Sequence, residues 1–235
     1  MKQKQHGSLS FAFDLQQVQP LPKLNIGEAY YARQISFYCF CVSNIEATEP
    51  AFYVWNETQA GRGPQEISSG VTDFLSNTNF DEATTTLRLF ADGCGGQNKN
   101  QHLIHSVALW LIKRSPPNLK EECFFFPVRG HSFLPADRVF GRLEKKLCTI
   151  PEIVTPEKYK EVYNDAGKTR DIGKDWKLNN YKKLSKVWKK IERISEMKRI
   201  ILKKSKLAVK TTKKMSHSKQ KSTITLTIPQ NRSQH

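Results

Sequence analysis

The chain has 235 residues, 38% hydrophobic and 26% charged, with 38 Lys and Arg against 22 Asp and Glu for a formal net charge of +16. That length holds one α/β domain of ordinary size and a smaller appendage. No run of 18 apolar residues is present to span a bilayer, and five cysteines without a CxxC spacing do not make a disulfide framework.

Residues 1–7 are polar and are expected to be disordered, and the absence of an apolar h-region there points to an intracellular protein. Residues 8–18 (SLSFAFDLQQV) alternate apolar and polar side chains as a strand does, closed by Pro20 and Pro22. Residues 29–42 (AYYARQISFYCFCV) have the aromatic and β-branched content of a central strand, and 51–56 (AFYVWN) make a third. Ile67, Val71, Phe74 and Leu75 then recur at helical spacing. Residues 84–90 (TTTLRLF) return to strand character and run into Asp92. A second amphipathic helix carries Leu103, Ile104, Val107, Ala108, Trp110 and Leu111 up to Pro116 and Pro117. Residues 122–128 (ECFFFPV) read as a short strand and 135–147 (PADRVFGRLEKKL) as a last helix.

The order β-β-β-α-β-α-β-α is not the repeat of a doubly wound sheet, because three strands precede the first helix. It is the order of an α/β, RNase H-like fold over residues 8–150: a mixed five-stranded sheet, with an antiparallel meander, then parallel strands and flanking helices. Residues 151–211 read as a basic, partly helical extension, with an amphipathic pattern over 175–201 and strand character over 202–211. Residues 212–235 read as a disordered basic tail, too poor in apolar side chains for a core. Residues 151–235 carry 23 Lys and Arg against 8 Asp and Glu, whereas residues 1–150 are nearly balanced. An excess of this kind favours phosphate contacts, which makes DNA the expected partner and Lys182, Lys183, Lys186, Lys189 and Lys190 its candidate contacts. Lysine clusters such as Lys203-Lys204 and Lys213-Lys214 suit a nuclear address.

Three aspartates stand where this fold concentrates chemistry. Asp14 interrupts an apolar strand, where a carboxylate is costly unless paired or bound to metal. Asp92 follows the fourth strand directly, and Asp137 opens the last helix; Glu144, seven residues on, shares that helix face and is the rival third carboxylate. Hard oxygen donors of this kind suit Mg²⁺ or Mn²⁺. Two such ions, roughly 3.5–4 Å apart, activate a water or 3′-hydroxyl for in-line attack on a phosphodiester. Taken singly, Asp14 also fits a salt bridge, Asp92 a turn and Asp137 a helix cap. The segment after Asp92, with Gly93, Gly95 and Gly96, allows close backbone approach beside a phosphate, and Gln97, Asn98 and Lys99 are candidate contacts to the scissile strand. His131 is a candidate contact to the attacking or leaving oxygen.

Four blocks, FAFDLQ, the YxWxExxAxRGxxEI pattern over 53–67, LFADGCGGQNKN and GHSFLPADRVFGRLEK, resemble a transposon-derived domain family of uncharacterised function related to Mutator-like DDE transposases. The resemblance covers about residues 8–180. It implies a catalytic triad of Asp14, Asp92 and Asp137, a site for two divalent metals, and strand cleavage and transfer on DNA. Family members carry a long upstream region, and Gly61 stands where a hydroxyl or alanine is common in the pattern. A domesticated, non-catalytic DNA-binding protein is the alternative expectation, and an RNase H-type nuclease on RNA–DNA hybrids is a weaker third. No membrane partner is expected, and a homo-oligomer is left open.

Overall fold

Alternation of apolar side chains sets the register of the sheet. The computed structural model describes residues 7–26, 32–46, 49–127, 134–181, 191, 194–205 and 223–229. Strand β1 (Ser8–Leu15) sends Phe11, Phe13 and Leu15 to one core, which leaves Ala12 and Asp14 on the opposite face. The short β2 (Gln19–Leu21) pairs with the start of β3 (Ile35–Asn44). β3 is apolar on both faces: Tyr38, Phe40 and Val42 enter the first core, and Phe37, Cys39 and Cys41 a second. That is why its run looks continuous rather than alternating. β4 (Ala51–Asn56) completes an antiparallel group with β3 and β1.

Helix α1 (Pro64–Ser76) starts with proline at its first turn, and the Glu66 carboxylate accepts the Gly63 N–H at 2.9 Å, which satisfies one orphan donor. Ile67, Val71 and Leu75 recur every four residues and are buried against the sheet. β5 (Thr86–Ala91) then lies parallel to β1. Helix α2 (Gln101–Lys113) is capped by Asn100, whose side chain accepts the Leu103 N–H at 3.0 Å. β6 (Glu121–Phe125) joins β5 in parallel. Helix α3 (Pro135–Thr149) packs Ala136, Val139, Phe140, Leu143 and Leu147 into the second core, and α4 (Pro156–Asn164) adds Tyr159 and Tyr163 there.

Among the described residues the molecule is thus an α/β fold, with a mixed nine-stranded sheet and four helices, α1 and α2 on one face and α3 and α4 on the other. The predicted sequence of three strands, helix, strand, helix, strand, helix runs through it, with β1 ending at Leu15 rather than residue 18 and the short β2 added around Pro20 and Pro22, expected only to close that strand.

The C-terminal third differs from its expectation as a basic appendage with a disordered end. β7 (Lys168–Asp171) pairs with β4 at one edge of the sheet. β8 (Arg199–Ser205) pairs antiparallel with β6, and β9 (Thr223–Pro229) extends the other edge, so the sheet order is β7-β4-β3-β1-β5-β6-β8-β9. Ile200 and Leu202 are fully buried. β9 falls inside the stretch expected to be disordered. Its TITLTIP sequence has the period-two alternation of a strand, masked by the Lys- and Ser-rich residues around it. Between the edges, Trp176 packs edge-on to Tyr53 and Trp55 at ring distances of 5.3 and 5.7 Å. The Asn179 N–H donates to Ser69 Oγ at 2.9 Å, and the Tyr181 and Thr72 hydroxyls meet at 2.8 Å. This segment therefore lies along α1, in the main core. The helix expected over 175–201 is not found in its described parts: 176–181 run without helix, Ile194–Glu196 form a 3₁₀ turn and β8 begins at Arg199, while 182–190 and 192–193 lie outside the described residues. No helix among the described residues is long and apolar enough to cross a membrane.

Candidate functional site

Strand pairing brings two of the aspartates side by side. The parallel register of β1 and β5 runs to Phe13 opposite Ala91, so the next residues along each chain are Asp14 and Asp92. Across the antiparallel pairing, Asp14 faces Cys41. Because Phe13 and Ala91 point into the first core, both aspartates belong to the opposite face, the one on which α3 lies. Asp137 sits at the third position of α3, and its carboxylate accepts the Leu134 N–H at 2.8 Å.

The three are electrostatically linked. Burial and the charge of Asp92 push the Asp14 carboxyl up from 3.8 to about 7, and Asp137 adds to the rise. The Leu15 N–H, at 2.8 Å from Asp14 Oδ1, and the Asn98 side chain oppose it. None of these strongest influences is a cation. Negative charge is therefore concentrated in a partly buried place without a positive partner among them.

The glycine-rich segment folds back on this cluster. The Cys94 carbonyl accepts the N–H groups of Gln97, Asn98 and Lys99 at 3.3, 2.8 and 2.8 Å. This tight turn carries Asn98 inward, where its Nδ2 donates to Asp92 Oδ1 at 2.5 Å. The Cys94 N–H donates to the same oxygen at 3.2 Å. Around Gly93, Gly95 and Gly96 an added Cβ would meet nothing within 4 Å, so packing inside the chain does not demand glycine at these positions.

The expected contacts to a nucleic acid divide. Asn98 is fully buried and turned to Asp92, so it presents nothing to an outside strand. Gln97 is half-buried, with its carbonyl accepting Asn100 Nδ2 at 2.9 Å. Lys99 donates to the Ser195 carbonyl at 2.7 Å and lies over the Phe126 ring, tying the glycine-rich segment to the chain just before β8. Glu144 is exposed two turns along α3, and its charge acts on Tyr163 of α4. His131, Lys182, Lys183, Lys186, Lys189 and Lys190 lie outside the described residues.

Two features escape the sequence reading. One is the inward course of Asn98, for which the sequence holds no signal beyond its glycine-rich setting. The other is a strip beside Asp92: Phe90 stacks on Phe125 at 4.8 Å, and the Arg199 guanidinium lies 4.8 Å over the Phe125 ring. Phe90 is legible as the residue two before Asp92 on the same face. Arg199 is not, because only the pairing of β8 with β6 brings it there.

As they stand, no three His, Cys, Asp or Glu side chains among the described residues form a ready metal shell. The donor set nevertheless suits a hard cation, since each carboxylate keeps lone pairs beyond its local N–H bonds. The charge crowding on Asp14 is also of the kind a divalent ion relieves. Neither the family models, nor the curated proteins, nor the solved structures compared with this chain give a match.

Proposed function

We propose that the chain acts as a transposase-like enzyme on DNA, cleaving and transferring phosphodiester strands through Asp14, Asp92 and Asp137 on an RNase H-like sheet. The observation that carries this reading is the parallel pairing that sets Asp14 and Asp92 at neighbouring strand ends, where burial and the charges of Asp92 and Asp137 raise the Asp14 carboxyl. The order β4-β3-β1-β5-β6, antiparallel through β3 and parallel through β1, β5 and β6, supports the fold assignment. The open space at Gly93, Gly95 and Gly96 supports an external phosphate backbone approaching there.

In this reading Asp14, Asp92 and Asp137 would be the residues that hold divalent ions, which when bound would acidify the nucleophile and stabilise the leaving oxygen. The chain's own residues hold the carboxylates aligned: the Leu15, Leu134 and Cys94 N–H groups and the Asn98 amide each fix one carboxylate oxygen. The strip of Phe90, Phe125 and Arg199 offers stacking and a cation to the strand beside Asp92.

A second reading, a DNA-binding protein without chemistry, is favoured by the open metal shell and by the basic residues after 150. Cleavage separates the two. With Mg²⁺ or Mn²⁺ the full chain is expected to nick or join DNA. Asp14→Asn, Asp92→Asn and Asp137→Asn are each expected to lower the rate at least about a hundredfold, as fits a metal contribution of several kcal/mol to the barrier. Salt-sensitive DNA binding with no metal-dependent cleavage would establish the second reading instead.

A further inference from the structure

We propose that Asn98 is the neutral fourth member of the carboxylate site, standing between Asp14 and Asp92 in the metal-free chain and supplying its side-chain oxygen to a divalent cation when one binds. This rests on the reading of Asp14, Asp92 and Asp137 as metal-holding carboxylates and adds a residue to it.

Asn98 is fully buried, and the two ends of its amide are used unequally. Nδ2 bonds Asp92 Oδ1 at 2.5 Å, and the side chain also favours the ionised form of Asp14. The other end, Oδ1, is buried with no hydrogen-bond partner. A buried acceptor left unmade is costly and needs a reason. Capping α2 is not that reason, because Asn100 already performs it.

An amide between two carboxylates partly offsets their repulsion through its N–H groups, yet carries no net charge to compete with a cation. A lysine there would fill the site permanently. Half a turn about the last side-chain torsion exchanges Nδ2 and Oδ1 in nearly the same volume. An amide oxygen is a donor that Mg²⁺ and Mn²⁺ accept alongside carboxylates. The Cys94-centred turn holds Asn98 in place for either orientation.

The test is Mn²⁺ titration of the full chain by calorimetry, with melting temperatures in EDTA and in Mn²⁺. It compares wild type, Asn98→Leu and Asn98→Asp, with Asp92→Asn as the reference for the site itself. Asn98→Leu is expected to weaken Mn²⁺ binding roughly tenfold or more. Asn98→Asp is expected to melt lower than wild type in EDTA, because it adds a fourth negative charge, yet to bind Mn²⁺ more tightly. The proposal is overturned if Asn98→Leu binds Mn²⁺ as wild type does while Asp92→Asn loses binding. Should Asn98→Leu not fold, Asn98→Asp decides: tighter binding supports the proposal, and equal or weaker binding overturns it. Absence of Mn²⁺ binding by wild type would overturn the metal reading together with the role of Asn98, and it is recognised without any substitution.

Discussion

Between Leu87 of β5 and Leu202 of β8, the side chain of Glu122 is wholly buried, and neither of its carboxyl oxygens finds a hydrogen-bond partner. Burial raises its carboxyl well above 4.5, so the folded chain holds it protonated where the unfolded chain would release the proton. The linkage follows in sign. The folded state binds the extra proton, so the contribution of Glu122 to stability is full below about pH 4.5 and is lost as pH rises through its folded value. Glu122→Met removes that loss and leaves apolar packing. At pH 8 the variant is expected to be more stable than wild type by on the order of 1–3 kcal/mol, the cost of an unmade bond on a buried polar group. Denaturant midpoints measured from pH 4 to 9 check this: the gap should narrow toward acid, and parallel curves would show that Glu122 does not titrate on unfolding. In sequence Glu122 opens an apolar run after Lys120 and Glu121, whereas Asp14 lies inside one. Only Asp14 has other aspartates brought to it, which is why the first reads simply as part of a strand and the second as a site.

At the scale of elements, α1 shows how a small residue sets an approach. A Cβ at Gly70 would stand 3.0 Å from a ring carbon of Phe40 on β3, closer than an ordinary contact. Gly70→Ala gains helix propensity but must move α1 or that ring. A net destabilisation of about 1–3 kcal/mol is expected, read as a lowered melting temperature. The strands and helices of the central sheet are legible because their periodicity is long and clean: β1, β3, β4 and β5 as runs, α1, α2 and α3 as amphipathic faces. β7 and β9 are not, and β8 is legible only in part, where it overlaps the strand character read over 202–211. β7 (KTRD) has no apolar residue at all and is a strand only because β4 offers an edge. β8 and β9 carry the right alternation within lysine-rich surroundings, and composition outweighs pattern there. The three aspartates stand out in the sequence for a related reason: Asp14 interrupts an apolar strand, Asp92 follows one and Asp137 opens a helix. The turn that sends Asn98 inward depends on three N–H groups meeting one carbonyl, which no spacing announces.

For the whole molecule, residues after 150 build both edges of the sheet as well as holding most of the excess charge. A test of DNA binding by removing residues 181–235 would take away β8, β9 and the buried side chains of Tyr181, Ile191, Ile200 and Leu202, and so would confound binding with folding. Neutralising charge is cleaner. Replacing Lys182, Lys183, Lys186, Lys189 and Lys190 by glutamine should weaken duplex binding and lower the slope of log affinity against log salt by about 0.9 for each phosphate that is no longer neutralised. An unchanged slope by fluorescence anisotropy would remove these lysines from the interface. Trp176 packs on Tyr53 and Trp55 of β4, and Tyr181 is held by Thr72 of α1.

The late arrival of β8 has a consequence for biosynthesis. β6 emerges from the ribosome as an unpaired edge carrying Phe124 and Phe125, and its partner follows roughly 80 residues later, a wait of about 4–16 s at ordinary elongation rates. During that interval the nascent chain exposes backbone donors, acceptors and aromatic rings suited to pairing with a neighbouring chain. The lysines that fill residues 182–190 are translated within this gap, and their mutual repulsion would keep nascent chains on one polysome apart until the sheet closes.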